Sequence, residues 1–177
     1  MPRREPRILA IDPGTRHMGV AVLDGRELIY YGVKDFKEKR PTETLTEATR
    51  QVLFRLIEAY GPAVLAYEKS FYVQSRQSAL LRAQEQEIQR VAKARGVKLV
   101  GYSPMSVRKA LCHDGWARKR DVATVLTRRY PELARYLSEP RLWQRGYWEN
   151  MFDAVAVGVV CRARLNVEEG GPGSVQS

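Results

Sequence analysis

Two short apolar runs in this chain each end on an acid: Ile8-Leu9-Ala10-Ile11-Asp12 and Val64-Leu65-Ala66-Tyr67-Glu68. No other feature constrains the fold as strongly. A short, unbroken apolar run bounded by turn signals reads as a strand buried on both faces. Such strands belong to sheets covered by helices on either side. Each carboxylate then stands at the rim of a core, where desolvation is costly unless a partner or a cation offsets it.

The pattern around these runs supplies the rest of the layout. Residues 7–11 form the expected first strand, closed by the turn Asp12-Pro13-Gly14-Thr15. Residues 18–23 follow as a second strand, and Asp24-Gly25 signals a type I′ hairpin. The returning strand, 27–33, places Leu28, Tyr30 and Gly32 on one face and Ile29, Tyr31 and Val33 on the other. Leu45, Ala48, Val52, Leu56 and Ala59 recur at helical spacing, which predicts a helix over 42–60 with Thr42 as cap and Gly61-Pro62 as stop. That helix crosses over to the strand at 63–67.

A helix over 75–95, stopped by Gly96, and a strand over 97–102 come next. A short helix is predicted at 104–112, with Ser103 as N-cap and Pro104 in its first position. After a loop at 113–117 the pattern gives a helix at 118–130, an irregular polar stretch at 131–146 with room for one helical turn, and a last helix at 147–164. Residues 165–177 are rich in Gly, Glu and Ser and are expected to fray as a flexible tail beyond a domain of residues 1–164. A three-stranded meander followed by crossover units is an α/β architecture: a mixed five-stranded sheet with helices on both faces. It resembles the layout of ribonuclease H-like domains.

A third acid, Asp153, interrupts the apolar run Met151-Phe152-Asp153-Ala154-Val155-Ala156-Val157 of the last helix. Singly, each acid has an ordinary explanation: Asp12 can cap its turn, Glu68 can pair with Arg or Lys, and Asp153 can be a helix salt-bridge partner. Three acids converging at the ends of buried elements would repel one another. Mg²⁺ or Mn²⁺ removes that conflict, because hard cations take oxygen ligands.

The net charge of +10 directs attention to a polyanionic partner. Arg outnumbers Lys 22 to 8, and the guanidinium fork matches phosphate oxygens. Arg108 and Lys109 lie at the end of the short helix, and Arg118, Lys119 and Arg120 open the next, an arrangement suited to phosphate contacts. A solvated charged face is the alternative. Phe71 and Tyr72 directly follow the Glu68 strand and can stack on bases, or pack into the core. Arg76 extends the candidate DNA-binding set. His17 reads as a strand-surface residue and His113 as a loop residue.

Other classes recede. No apolar run reaches the roughly 18 residues of a membrane span, and the first seven residues carry no apolar signal region. Cys112 and Cys161 are too few for a disulfide framework or a cysteine zinc site. A cytoplasmic protein with reduced thiols, away from any membrane, is the expectation.

At this level of detail the residues resemble a known family, the RuvC-type Holliday-junction resolvases. The opening, with Ile11-Asp12-Pro13-Gly14-Thr15 and Gly19-Val20-Ala21-Val22, is similar to theirs. Further blocks follow in order: Tyr67-Glu68-Lys69-Ser70-Phe71, Ser78-Ala79-Leu80, Tyr102-Ser103-Pro104, Val107-Arg108, Gly115 with Ala117 and Lys119, and Asp153-Ala154. The resemblance implies a homodimeric endonuclease that binds four-way DNA junctions and resolves them by paired symmetric nicks. It implies Asp12, Glu68 and Asp153 as metal ligands holding two Mg²⁺ ions, with Mn²⁺ as substitute. Two-metal phosphodiester hydrolysis would leave 5′-phosphate and 3′-hydroxyl ends. Phe71 falls at the family's junction-stacking aromatic, and Arg108 and Lys119 at basic positions near the scissile strand. Lys119 is expected to neutralise transition-state charge. A branch-migration motor is a further partner to test.

Three departures stand out. The family carries an acid or histidine three residues before its last Asp, where this chain has Asn150; Glu149 is the other candidate fourth ligand. Its long helix carries small residues at the dimer contact, where this chain reads Ala83-Gln84-Glu85-Gln86-Glu87. The stretch from Trp143 to Trp148 is longer and more aromatic. The Asn150 departure predicts one weakened metal site, and in its strongest form a junction-binding module without catalysis. A RuvX-type ribonuclease H-like RNA-processing nuclease is the alternative enzyme. Actin-like ATPases share the Asp-Pro-Gly-Thr turn but use two such domains.

Overall fold

The computed structural model of the protein describes residues 5–36, 42–70, 76–138 and 146–169. Among the described residues there is one sheet, of five strands in the order β3-β2-β1-β4-β5. These are β1 (Ile8–Asp12), β2 (His17–Asp24), β3 (Glu27–Asp35), β4 (Val64–Glu68) and β5 (Lys98–Tyr102). β1, β2 and β3 pair antiparallel as a meander, whereas β4 and β5 join β1 in parallel. The expected mixed sheet is therefore present.

Among the described residues, six α-helices cover it: α1 (Thr42–Tyr60), α2 (Arg76–Ala94), α3 (Pro104–Cys112), α4 (Lys119–Arg129), α5 (Ala134–Leu137) and α6 (Glu149–Glu169). Side chains of a strand alternate between faces, and the two cores follow that alternation. Leu9, Ile11, Val20, Val22, Leu65 and Tyr67 pack under α1 and α2 with Leu53, Ile57 and Ile88. Ile8, Ala10, Ala21, Leu23, Val64 and Ala66 pack under α3, α4 and α6 with Val107, Leu126, Phe152 and Val157.

Local signals act as the sequence suggests at several junctions. Ser103 caps α3 by accepting the Ser106 amide, with Pro104 next. Gly61 and Gly96 end their helices with positive φ. Close approach of α6 to the sheet depends on two other glycines. A Cβ on Gly19 would lie 1.7 Å from the Asn150 carbonyl oxygen, and one on Gly158 would lie 2.4 Å from Leu23 Cδ1.

Five expectations are revised. Asp24 pairs with Glu27, so the hairpin turns on Gly25 and Arg26, and positive φ at Gly25 but not at Arg26 rules out the expected type I′ turn. The pairing of β2 with β3 shifts at Val22/Leu23, so that Val22 faces Tyr30 and Leu23 faces Leu28. Ile29 is the extra residue of this bulge. Leu28 consequently joins Tyr31 and Val33 on the α6 face, while Tyr30 packs on the other. Arg118 is the N-cap of α4 rather than its first residue, and its N–H donates to Asp121. The last helix opens at Glu149 rather than at Tyr147, with the Phe152 N–H donating to the Trp148 carbonyl. It then continues to Glu169, past the expected end at Arg164, because Leu165 is still buried against the core. Among the described residues, no helix is long and apolar enough to cross a membrane.

Candidate active site

Strand pairing alone brings two of the three acids together. Ile11 of β1 is aligned with Tyr67 of the parallel β4, so Asp12 and Glu68 come next to each other at the same sheet end. By the period of two, Asp12 shares a face with Ile8 and Ala10, and Glu68 with Val64 and Ala66. That is the face under α6, and Asp153 sits in the second turn of α6. The three predicted acids thus converge, although Asp153 is 141 residues from Asp12 in the chain.

Their electrostatics record the crowding. The Asp12 carboxyl is held well above the usual range, first by burial and then by Asp153 and Glu68, with a smaller push from Glu149. Glu68 is pushed up to about 7 by burial and by Asp153, against the pull of Lys119 and Arg108. Asp153 is raised by burial and by Glu149, with Lys119 and Arg108 opposing.

Lys119, the first residue of α4, reaches into this group. Its Nζ lies 3.0 Å from Asp153 Oδ2 and 3.1 Å from Glu149 Oε2. Glu149 and Asp153 are one helical turn apart, which lets one ammonium bridge both. Burial pulls the Lys119 pKa down, but the two carboxylates outweigh it and the ammonium is held charged.

The donor set suits a hard cation: carboxylate oxygens in excess of local positive charge, with their protonated forms favoured by mutual repulsion. Among the described residues, no group of three or more His, Cys, Asp or Glu side chains stands in an arrangement that could hold a metal ion as it is. The Lys119 ammonium and the more distant Arg108 supply the compensating charge.

Asn150 has a different attachment. Its Nδ2 donates to the His17 carbonyl at 2.5 Å. On the opposite side of the same turn, the fully buried Gln84 donates to the Gly14 carbonyl and to Thr49 Oγ1. Two side-chain amides therefore hold the turn that follows Asp12. In the sequence Gln84 stands only in the segment that departs from the family's small residues at its dimer contact, and its spacing carries no signal of this role. Glu85 and Glu87 are likewise used within the chain: Glu85 accepts the Ser70 N–H, and Glu87 pairs with Arg50 and Arg90.

Among the basic candidates, Arg108 is half-buried beside the acids, and Lys109, Arg118 and Arg120 are exposed. Phe71 and Tyr72 lie outside the described residues, as does the side chain of Arg76, the first residue of α2. In the aromatic approach to α6, Tyr147 donates to Asp35 and meets the His17 ring edge-on, while Trp148 packs on Tyr136. His17 also pairs with Asp35 at 2.8 Å. Trp143 lies outside the described residues.

Residues 8–136 match the model of the family described as crossover junction endodeoxyribonuclease RuvC. The crossover junction endodeoxyribonuclease RuvC of Akkermansia muciniphila is 34% identical over 122 residues, covering 66% of this chain and 73% of that one. In fold, the chain is similar to T. thermophilus RuvC in complex with Holliday junction substrate, with a TM-score of 0.72 at 21% identity, covering 91% and 96% of the two chains. It is also similar to the yeast mitochondrial Holliday junction resolvase Ydc2, with a TM-score of 0.69 at 14% identity, covering 94% and 82%. The family match ends before Asp153. The chain belongs to the RuvC family of crossover junction endodeoxyribonucleases.

Proposed function

We infer that the protein is a structure-selective DNA endonuclease that resolves four-way junctions by paired nicks. The observation that carries this reading is the convergence of Asp12, Glu68 and Asp153 at one sheet end, beside the basic start of α4, in a chain of this family. Asp12, Glu68 and Asp153 would hold the divalent cations, Mg²⁺ or Mn²⁺ and two per site, with Glu149 the better-placed fourth acid. Cations bound there supply Lewis acidity toward the phosphate and toward an attacking water. The carboxylates orient that charge and accept the proton of the water. Lys119 counters charge at the phosphate as the bond breaks. Arg108, Lys109, Arg118 and Arg120 hold the strand by its phosphates, and Phe71, Tyr72 and Arg76 belong to the same DNA-binding set. The products are a 5′-phosphate and a 3′-hydroxyl. A homodimer would present two such sites for symmetric nicks.

The test is a side-by-side gel assay with Mg²⁺ on a four-way junction, a linear duplex and a structured RNA. Paired, ligatable nicks in the junction are expected. Cleavage of the RNA with the junction left intact would instead favour the RuvX-type alternative. Tight junction binding with no cleavage in either Mg²⁺ or Mn²⁺ would favour the binding module.

A further inference from the structure

Trp116 is 80% exposed and is the most exposed large apolar side chain among the described residues. An indole so open to water is unusual, and its setting is built rather than loose. His113 ends α3 in the left-handed region, with φ 59°. Asp114 Oδ1 then accepts the Trp116 N–H at 2.9 Å, and the Asp114 carbonyl accepts the Ala117 N–H. Gly115 presses on Met105, since a Cβ there would stand 2.9 Å from Met105 Cγ. Ala117 is buried. The turn is fixed at both ends and underneath, and it holds an aromatic ring out into solvent. Met105, 45% exposed, adds apolar surface at its base.

The location indicates what the ring meets. Lys119 follows Trp116 by three residues, so their backbones lie at most about 11 Å apart, and the Lys119 ammonium contacts Asp153. Arg108 and Lys109 precede the turn, and Arg118 and Arg120 follow it. A flat apolar face with basic residues before and after it in the chain, and with Lys119 linking its segment to the acid cluster, fits a nucleobase whose phosphates the cations hold. An apolar protein partner would be poorly matched to so basic a segment.

We propose that Trp116 is a base-stacking residue that engages a nucleobase of the cleaved strand next to the scissile phosphate. The proposal rests on the reading of the acid cluster as a junction-nuclease site. Stacking is read by the ring, not by charge, so it contributes affinity and strand position without adding a phosphate contact.

The experiment uses the full chain and four-way junctions carrying 2-aminopurine at successive positions around the cleavage site. Wild type, Trp116→Ala and Trp116→Phe are compared in Ca²⁺ for binding at several salt concentrations, and in Mg²⁺ for single-turnover cleavage. For the wild type, one or two positions next to the nick should show altered 2-aminopurine fluorescence. Trp116→Ala should abolish that change and weaken binding roughly tenfold, with the salt slope of binding unchanged. Trp116→Phe should recover most of both. The proposal is overturned if Trp116→Ala matches wild type in fluorescence and affinity, or if its only effect is a shallower salt slope. If wild type itself neither binds nor cuts the junction, the nuclease reading fails and this proposal with it.

Discussion

The side-chain amide of Asn150 donates to the backbone carbonyl of His17 across 133 residues of sequence, and so ties the start of α6 to the turn behind Asp12. The nitrogen at this position is therefore committed to the fold. A carboxylate in its place would set two acceptors against each other. Asn150→Asp should cost about 1–3 kcal/mol and lower the melting temperature by roughly 3–10 °C, while leaving the half-saturating Mg²⁺ concentration for cleavage unchanged. A calorimetric melt and a metal titration check both parts. A lower metal requirement without loss of stability would return Asn150 to the ligand set.

The acid cluster makes stability depend on pH in a definite direction. Glu68 rises from an ordinary 4.5 to about 7 in the fold, and Asp12 and Asp153 are raised with it. A carboxyl raised by folding binds more protons in the native than in the unfolded state, so stability falls as pH increases through that window. For Glu68 the loss begins near 4.5 and is complete above about 7, and amounts to at most about 3 kcal/mol. The metal-free protein should melt lower at pH 8 than at pH 5.5. Glu68→Gln should flatten that dependence and raise the melting temperature at pH 8 by several degrees. Added Mg²⁺ should stabilise wild type more at pH 8 than at pH 5.5.

Asp12 occupies the most crowded position among the carboxylates, facing Asp153, Glu68 and Glu149. Asp12→Asn should reduce junction cleavage by roughly a thousandfold or more and leave junction affinity within about threefold, because the basic contacts remain. Quantitative gels and fluorescence anisotropy measure the two. Cleavage at the wild-type rate would refute the site assignment.

Lys119 bridges Glu149 and Asp153 at 3.1 and 3.0 Å. Lys119→Met keeps the aliphatic stem and removes the charge. Single-turnover cleavage should fall by about 10²–10³, with a smaller effect on binding. In the absence of metal, the variant should also melt below wild type at pH 8, since the two carboxylates then face each other unscreened.

Gly19 has no room for a methyl group, because the Asn150 carbonyl stands 1.7 Å from where its Cβ would be. Gly19→Ala should destabilise the protein by about 3 kcal/mol or more, read as a lower urea midpoint. Gly32→Ala, on the neighbouring strand with open space around it, is the control and should cost far less.

What the sequence determined by itself was everything carried by short-range pattern. Unbroken apolar runs marked β1 and β4 as buried, and their terminal acids marked one end of the sheet. The spacing of Leu45 and Leu56, the Ser103-Pro104 start and the Gly61 stop set helices within a residue or so of where they lie. The family blocks named Asp12, Glu68 and Asp153, which strand register and α6 bring together. Side-chain commitments between distant segments were decided only by the tertiary structure. Nothing near Asn150 in sequence says that its amide goes to His17, and nothing near Gln84 says that it braces Gly14. The bulge at Ile29 turned Leu28 to the other face, and the burial of Leu165 carried α6 on to Glu169. Periodicity records which face of an element is apolar. Which polar atom finds which partner depends on where the elements dock, and that is fixed by close packing such as α6 against Gly19.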